Sequence, residues 1–118
     1  MKMYRTLGLA TLLMGAASVA SAAQVEGVLM DKMCSLSAVK EGQKFAMSHD
    51  TKCALSPDCA KSGYGVFTSD GKFMTFDAAG NAKAAAALKA TKKADNLMVT
   101  VDGDVTGSTI NVASLKLK

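Results

Sequence analysis

The sequence predicts a mainly β domain, a small five-stranded barrel with one helix. Short segments that are apolar, or in which apolar and polar residues alternate, recur along the chain. The first lies at residues 24–31 and the last at residues 109–117. A Ser-Asp-Gly-Lys turn joins the second and third of these segments, and an alanine-rich segment of helical character follows the third. Five strands with a helix between the third and fourth strands is the element order of the OB-fold, a small Greek-key barrel.

Residues 24–31 are predicted to form the first strand. Val25 and Leu29 lie on one face of this strand, and Val28 and Met30 lie on the other. Apolar side chains on both faces are typical of a strand that is buried on both sides. We therefore expect this strand to be covered by other parts of the domain on each face.

A hairpin and a helix are predicted in the middle of the chain. The hairpin has strands at residues 66–68 and 73–76, and Asp70-Gly71 between them is a strong signal for a two-residue turn. The helix is predicted to begin after Asn81 as its N-cap. One face carries Ala84, Ala87, Leu88 and Thr91 at helical spacing. The opposite face carries Lys89, Lys92 and Lys93 near the C-terminus, where the helix dipole favours positive charge.

The C-terminal region predicts the last two strands. Apolar and polar side chains alternate over residues 97–105, and a Thr-Gly-Ser turn leads to residues 109–117. The apolar residues of the final strand change parity between Val112 and Leu115, which is the pattern that a β-bulge produces. Gly103 marks a second expected bend.

Residues 1–22 are predicted to be a secretory signal peptide. Two basic residues precede an apolar run, and Ala-Ser-Ala at residues 20–22 supplies small side chains for a signal peptidase. Cleavage is expected before Ala23, with cleavage before Gln24 as the alternative. An uncleaved membrane anchor is a further alternative, but the apolar run is short for a membrane span.

Cleavage would leave a single domain, residues 23–118, in the periplasm or secreted. This part has 12 basic and 10 acidic residues, a net charge of +2, and all of its basic residues are lysines. Arginine, which suits phosphates and guanine edges best, is absent from it. We therefore expect a soluble monomer that binds neither nucleic acid nor, after cleavage, a membrane.

The chain has three cysteines, and export would place them in an oxidising compartment. Cys34 and Cys59 lie near the two ends of an insertion that is predicted between the first two strands, at about residues 34–62. This insertion is expected to be polar and irregular, with room for helical turns. A Cys34–Cys59 disulfide would close a loop of about 25 residues and stabilise the domain by about 3 kcal/mol. Pairing of Cys53 with either of the other two cysteines remains open, because connectivity does not follow from sequence.

The same insertion contains a candidate metal site. His49 and Cys53 are four residues apart and would share one face of a helical turn, and Met47 lies close by. A thioether, a thiolate and an imidazole together favour copper(I) or zinc over hard cations. His49, Cys53 and Met47 are therefore the predicted ligands of a copper or zinc ion.

Four short motifs carry a resemblance to a known group of proteins: an Asp-x-x-Cys at residues 31–34, a His-x-x-x-Cys at 49–53, a Ser-Gly-Tyr-Gly at 62–65 and the tail at 99–117. With these motifs, the chain resembles a group of small exported bacterial proteins of unassigned function. The resemblance implies an OB-like fold and an exported location, and it implies no activity.

These observations predict a small exported, non-catalytic binding module with a copper or zinc site in its insertion. The alternative is a disulfide-stabilised structural protein of the cell envelope that binds a saccharide or protein partner without metal. Tyr64 and Phe67 are the candidate ligand-stacking residues for that alternative. An enzyme is not expected, because the chain lacks the Cys-x-x-Cys of thiol–disulfide catalysts, and a Cys–His pair alone is insufficient.

Overall fold

A computed structural model describes residues 21–118. The signal peptide predicted for residues 1–22 lies outside the described residues, except for its last two residues, which open the first strand. The described elements are, in order, β1 Ser21–Asp31, α1 Lys32–Glu41, α2 Gln43–Ser48, α3 Thr51–Ala54, α4 Pro57–Ser62, β2 Tyr64–Phe67, β3 Phe73–Phe76, α5 Ala78–Ala90, β4 Met98–Thr106 and β5 Thr109–Leu117.

The five strands form a closed barrel in the order β1-β2-β3-β5-β4. β3 and β5 pair in parallel, and the other neighbouring strands pair antiparallel. The predicted small five-stranded barrel is confirmed, and it is consistent with an OB-like barrel, with α5 between β3 and β4. The start of this helix and the form of the insertion differ from the prediction. Among residues 21–118, no helix combines the length and apolar character that crossing a membrane requires.

The long first strand takes part in two pairings. Its N-terminal part pairs with β4, its C-terminal part pairs with β2, and Val28 belongs to both ladders. Gly27 lies just before this junction, where a Cβ atom would collide with the backbone of Phe67. The absence of a side chain at Gly27 lets β2 approach closely at the point where β1 changes partners.

The predicted bulge is present in the last strand. Asp102 pairs with Ser114, while the next residue of β4, Gly103, pairs with Val112, so Ala113 is the extra residue. Gly103 lies opposite this irregularity, and a Cβ there would collide with the backbone of β5. The bulge predicted from the parity change is therefore confirmed, and Gly103, the second expected bend, lies opposite it.

The helix after the hairpin begins earlier than predicted. Asp77 is its N-cap and accepts hydrogen bonds from the backbone N–H groups of Gly80 at 2.9 Å and Val112 at 3.1 Å. The prediction of Asn81 as the N-cap is wrong, because Asp77 satisfies the free N–H groups one turn sooner. Asn81 lies inside the helix, and its side chain accepts a hydrogen bond from the Tyr64 N–H at 2.9 Å.

The insertion, predicted to be irregular with some helical turns, folds into the four short helices α1 to α4. It has a small core of its own against the outside of the barrel, formed by Val28, Met30, Ala38, Ala46 and Phe67. Leu29, on the other face of β1, belongs to the main barrel core. The two apolar faces of β1 are thus explained, because one faces the barrel interior and the other is covered by the insertion.

Candidate functional site

The two ends of the insertion meet where β1 ends. Asp31 is the last residue of β1 and the N-cap of α1, and its Oδ2 accepts a hydrogen bond from the Cys34 N–H at 2.9 Å. The Lys32 N–H donates to the Gly63 carbonyl at 2.8 Å, and this bond ties the start of α1 to the end of α4. The Asp-x-x-Cys motif is therefore a helix cap that presents Cys34 beside the end of the insertion.

Cys59 reaches the same place from α4. The Ser62 hydroxyl donates to the Cys59 carbonyl at 2.6 Å and accepts from the Met33 N–H at 3.2 Å, so it links α4 to α1. One carboxylate oxygen of Asp31 and the sulfurs of Cys34 and Cys59 all lie within 4.8 Å of one another. We call these three residues the neck cluster.

The sulfurs of Cys34 and Cys59 thus lie close together at the neck, as the sequence argument expects. Both are free thiols that are not at the distance of a disulfide bond, so the disulfide between them stays a prediction. Cys53 is exposed and is not part of the neck cluster. The pairing of Cys34 with Cys59 has the geometric support of this proximity, whereas Cys53 has its side chain toward solvent.

A buried histidine lies behind the cluster. Nε2 of His49 is 2.9 Å from Oδ1 of Asp31, and the two side chains are only 3% and 0% exposed. The two atoms are close enough to interact as an acid–histidine pair, but their orientation is not that of a linear hydrogen bond. Nδ1 of His49 is also buried there without a hydrogen-bond partner.

Burial and these contacts act in opposite directions on Asp31. Burial alone would raise the pKa of the Asp31 carboxyl, but the contact with His49 and the hydrogen bond from the Cys34 N–H hold that pKa below its ordinary value. Asp31 is therefore a buried carboxylate at neutral pH. A buried charge of this kind is costly unless it has a compensating partner.

The same carboxylate disfavours ionisation of Cys34. Burial raises the pKa of the Cys34 thiol to about 12, with further contributions from the negative Asp31 and from Cys59. A thiol with such a pKa is protonated at neutral pH and is a poor nucleophile. A cation bound in the cluster would reverse this preference, because coordination to a metal ion deprotonates a thiol.

A second Asp-x-x-Cys occurs at Asp50 and Cys53. Asp50 is the N-cap of α3 and accepts a hydrogen bond from the Cys53 N–H at 2.6 Å, as Asp31 does for Cys34. The side-chain contact with Asp50 raises the pKa of Cys53, although Cys53 is exposed. The chain therefore contains two copies of one capping motif, one buried beside a second cysteine and one open to solvent.

The predicted ligands His49, Cys53 and Met47 do not form the cluster that the structure assembles. Met47 is half-buried and packs against the insertion core, His49 pairs with Asp31, and Cys53 faces solvent. Among the histidines, cysteines and acidic residues at positions 21–118, the three-membered group with metal-ligand spacing is the neck cluster. Sequence reasoning did not select Asp31 as a ligand, although the Asp-x-x-Cys motif contained the signal.

The two candidate stacking residues, Tyr64 and Phe67, are 3% and 1% exposed. The Tyr64 hydroxyl donates to the Ala54 carbonyl at 2.7 Å and so attaches α3 to the barrel. Phe67 packs under the insertion. In these positions both rings fill the interior, and neither presents a face to a ligand in solution.

Comparisons with protein-family models, curated proteins and solved structures gave no match for this chain. Two thiols and one carboxylate can bind a metal ion together, and two neighbouring thiols can also form a disulfide. These two outcomes use the same sulfur atoms, so one molecule cannot have both.

Proposed function

We propose that the protein is an exported, non-catalytic binding module that holds a copper or zinc ion at the neck cluster. One observation carries the proposal: residues from β1, α1 and α4 bring two sulfurs and a carboxylate oxygen within 4.8 Å of one another. Soft sulfur ligands favour copper(I) and zinc over calcium and magnesium. The proposal keeps the predicted metal class but changes its ligands to Asp31, Cys34 and Cys59.

The geometry supports binding better than catalysis. A nucleophilic cysteine needs a lowered thiol pKa and an adjacent base, whereas burial and Asp31 raise the pKa of Cys34 to about 12. His49 is turned toward Asp31 through Nε2 and is buried, so it is not placed as a base for a solvent-facing substrate. These features disfavour a Cys–His nucleophile at this site.

The second candidate function is a structural module stapled by a Cys34–Cys59 disulfide, which binds an envelope partner without metal. Its support is the same proximity of the two sulfurs, together with the oxidising compartment that the predicted signal peptide implies. The buried rings of Tyr64 and Phe67 leave this alternative without an aromatic binding surface. The metal and the disulfide are thus competing states of one pair of sulfurs.

Elemental analysis combined with a thiol count separates the two functions. The full chain is expressed with its leader, and the exported protein is isolated without chelators and without exposure to air. We expect about one copper or zinc ion per chain, an intact mass that begins at Ala23 or Gln24, and loss of the metal in Cys34→Ser. Cys53→Ser is the matched control, because it removes a thiol outside the cluster, and it should retain the metal.

A metal-free exported protein with one free thiol would instead establish the stapled module. A metal content that disappears in Cys53→Ser and persists in Cys34→Ser would return the ligand role to the His49–Cys53 segment. Retention of the leader in the intact mass would contradict the cleaved, exported state. Each of these results is distinct from the expected one.

A further inference from the structure

We infer that Asp31 is itself a metal ligand and that it makes the neck cluster a site for zinc, or a similar borderline divalent ion, in preference to monovalent copper. The inference rests on the proposed function and adds the class of the ion. It is carried by three features of Asp31: its complete burial, the free capacity of its carboxylate, and the comparison with Asp50.

The Asp31 carboxylate has unused acceptor capacity. A carboxylate offers about four lone-pair positions. Oδ2 of Asp31 accepts a hydrogen bond from the Cys34 N–H at 2.9 Å. Oδ1 lies 2.9 Å from Nε2 of His49, but the two atoms are not aligned as in a hydrogen bond. Because each carboxylate oxygen has about two lone-pair positions, Asp31 can contact Cys34 and His49 and still accept a cation beside the two sulfurs.

The cap alone does not explain why Asp31 is buried. Asp50 caps α3 in the same way, because its carboxylate accepts a hydrogen bond from the N–H of the cysteine three residues later. The Asp50 carboxylate does so while in contact with solvent. Asp31 is 0% exposed and forms its cap next to a second cysteine. Capping therefore does not require this burial, and a divalent cation bound beside the two sulfurs would compensate the buried charge together with His49.

The mixed ligand set selects the ion. Zinc accepts thiolate at about 2.3 Å and carboxylate oxygen at about 2.0–2.2 Å, commonly with four ligands in a tetrahedron. Copper(I) is softer and favours sulfur, so a carboxylate adds little to its binding. With two sulfurs and one carboxylate from the protein, zinc would keep one position for water or another ligand, and the half-buried Cys34 and Cys59 leave access to it.

The experiment measures zinc(II) and copper(I) affinities separately on the reduced full domain under anaerobic conditions, with competing chelators. Asp31→Asn is the test variant, because asparagine retains the cap acceptor and the side-chain size. Asp50→Asn is the matched control, because it makes the same change in the exposed copy of the motif. Far-ultraviolet circular dichroism and urea unfolding establish that each variant is folded.

We expect Asp31→Asn to weaken zinc binding at least tenfold and to change copper(I) binding less than threefold, while Asp50→Asn changes neither by more than threefold. Equal losses for both metals, or zinc binding unchanged within threefold, would overturn the ligand role of Asp31. Failure of the wild-type protein to bind either metal would overturn the proposed function as well. Binding of copper(I) alone would remove only the inference about zinc.

X-ray absorption of the zinc-loaded wild-type protein tests the same inference without a variant that has to fold. We expect two sulfur neighbours at about 2.3 Å and oxygen or nitrogen neighbours at about 2.0–2.2 Å. Three sulfur neighbours would require a further sulfur ligand, from Cys53 or a methionine, and would contradict the ligand set of the neck cluster. An environment without sulfur would contradict both the inference and the proposed function.

Discussion

Nε2 of His49 lies 2.9 Å from Oδ1 of Asp31, and both side chains are almost completely shielded from solvent. The pair joins the start of the insertion to the segment between α2 and α3. His49 belongs to a polar stretch of sequence but is buried beside Asp31, the one fully buried acidic side chain among residues 21–118. This contact links the packing of the insertion to the carboxylate of the neck cluster.

The first prediction concerns this pair in the metal-free, reduced protein. His49→Ala is expected to lower the free energy of unfolding by about 3 kcal/mol, because it leaves a buried carboxylate without its partner. Asp31→Asn should cost less, about 1–3 kcal/mol, since the amide oxygen can still cap α1 and the amide NH2 would then face His49 as a donor. Urea unfolding of the two single variants and the double variant measures both effects.

The coupling energy from this double-mutant cycle is the decisive quantity. We expect a value of about 1 kcal/mol or more, because the two residues are in direct contact. Asp102→Asn with His49→Ala serves as the control cycle and should be nearly additive, because Asp102 is exposed and contacts Ser114 on the barrel. Additivity in the Asp31–His49 cycle would show that the contact contributes no pairwise stability.

The second prediction concerns alkaline pH. Burial and Asp31 raise the pKa of Cys34 to about 12 in the folded, reduced protein, while a thiol in an unfolded chain has a pKa of about 8.5. The folded state therefore holds this proton more tightly. Its stabilising effect is complete below the unfolded pKa and is lost progressively as pH rises toward the folded pKa.

Urea unfolding of the metal-free, reduced protein from neutrality to about pH 10 measures this loss. We expect wild-type protein to lose more stability across that range than Cys34→Ser, which lacks the thiol. Lysines and tyrosines titrate in both proteins, so their effects cancel in the comparison. Parallel curves for the two proteins would contradict the strong perturbation of Cys34.

The barrel was predictable because its signals are local. Alternation in β4, the Asp70-Gly71 turn and the two apolar faces of β1 each act within a few residues, and the parity change in β5 marked the bulge at Ala113. The start of α5 was misplaced because Asp77 and Asn81 are both good caps. Asp77 also accepts a hydrogen bond from the Val112 N–H, and this contact between residues far apart in the sequence favours Asp77 as the N-cap.

The site was only partly predictable. The approach of Cys34 to Cys59 follows from antiparallel pairing of β1 with β2, which the strand order predicts. The Asp31–His49 pair does not follow in this way, because it depends on how α1 and α2 pack through the small buried residues Ala38 and Ala46. The packing of α1 against α2 cannot be predicted from a periodic pattern in the sequence.

The third prediction concerns Asp77, which joins α5 to β5. Asp77→Ala removes the N-cap acceptor and leaves the Val112 N–H without its partner. We expect a loss of about 2 kcal/mol in the free energy of unfolding, about half from the cap and half from the unsatisfied N–H group. Thermal and urea unfolding measure it.

Asp77→Asn is the control, since asparagine caps helices about as well as aspartate. It should cost less than half as much as Asp77→Ala. Equal costs for the two variants would show that the negative charge, and not the acceptor geometry, holds α5 in place.

The fourth prediction separates the three cysteines in protein that has been oxidised after removal of metal. We expect one reactive thiol per chain, and peptide mapping should assign it to Cys53, because Cys53 is exposed and the other two sulfurs are neighbours. Cys34→Ser and Cys59→Ser should each lower the free energy of unfolding by about 2–5 kcal/mol, the usual effect of losing a disulfide from a small exported domain.

Cys53→Ser provides the contrast, with an expected change within about 0.5 kcal/mol, because its side chain lies at the surface. Under reducing conditions, the stability differences between wild type and the Cys34→Ser and Cys59→Ser variants should shrink, since the disulfide is then absent from all three proteins. A mapped Cys53–Cys59 bridge would contradict this pairing. Three free thiols that persist in the presence of an oxidising disulfide would show that the neck sulfurs do not approach closely enough to bond.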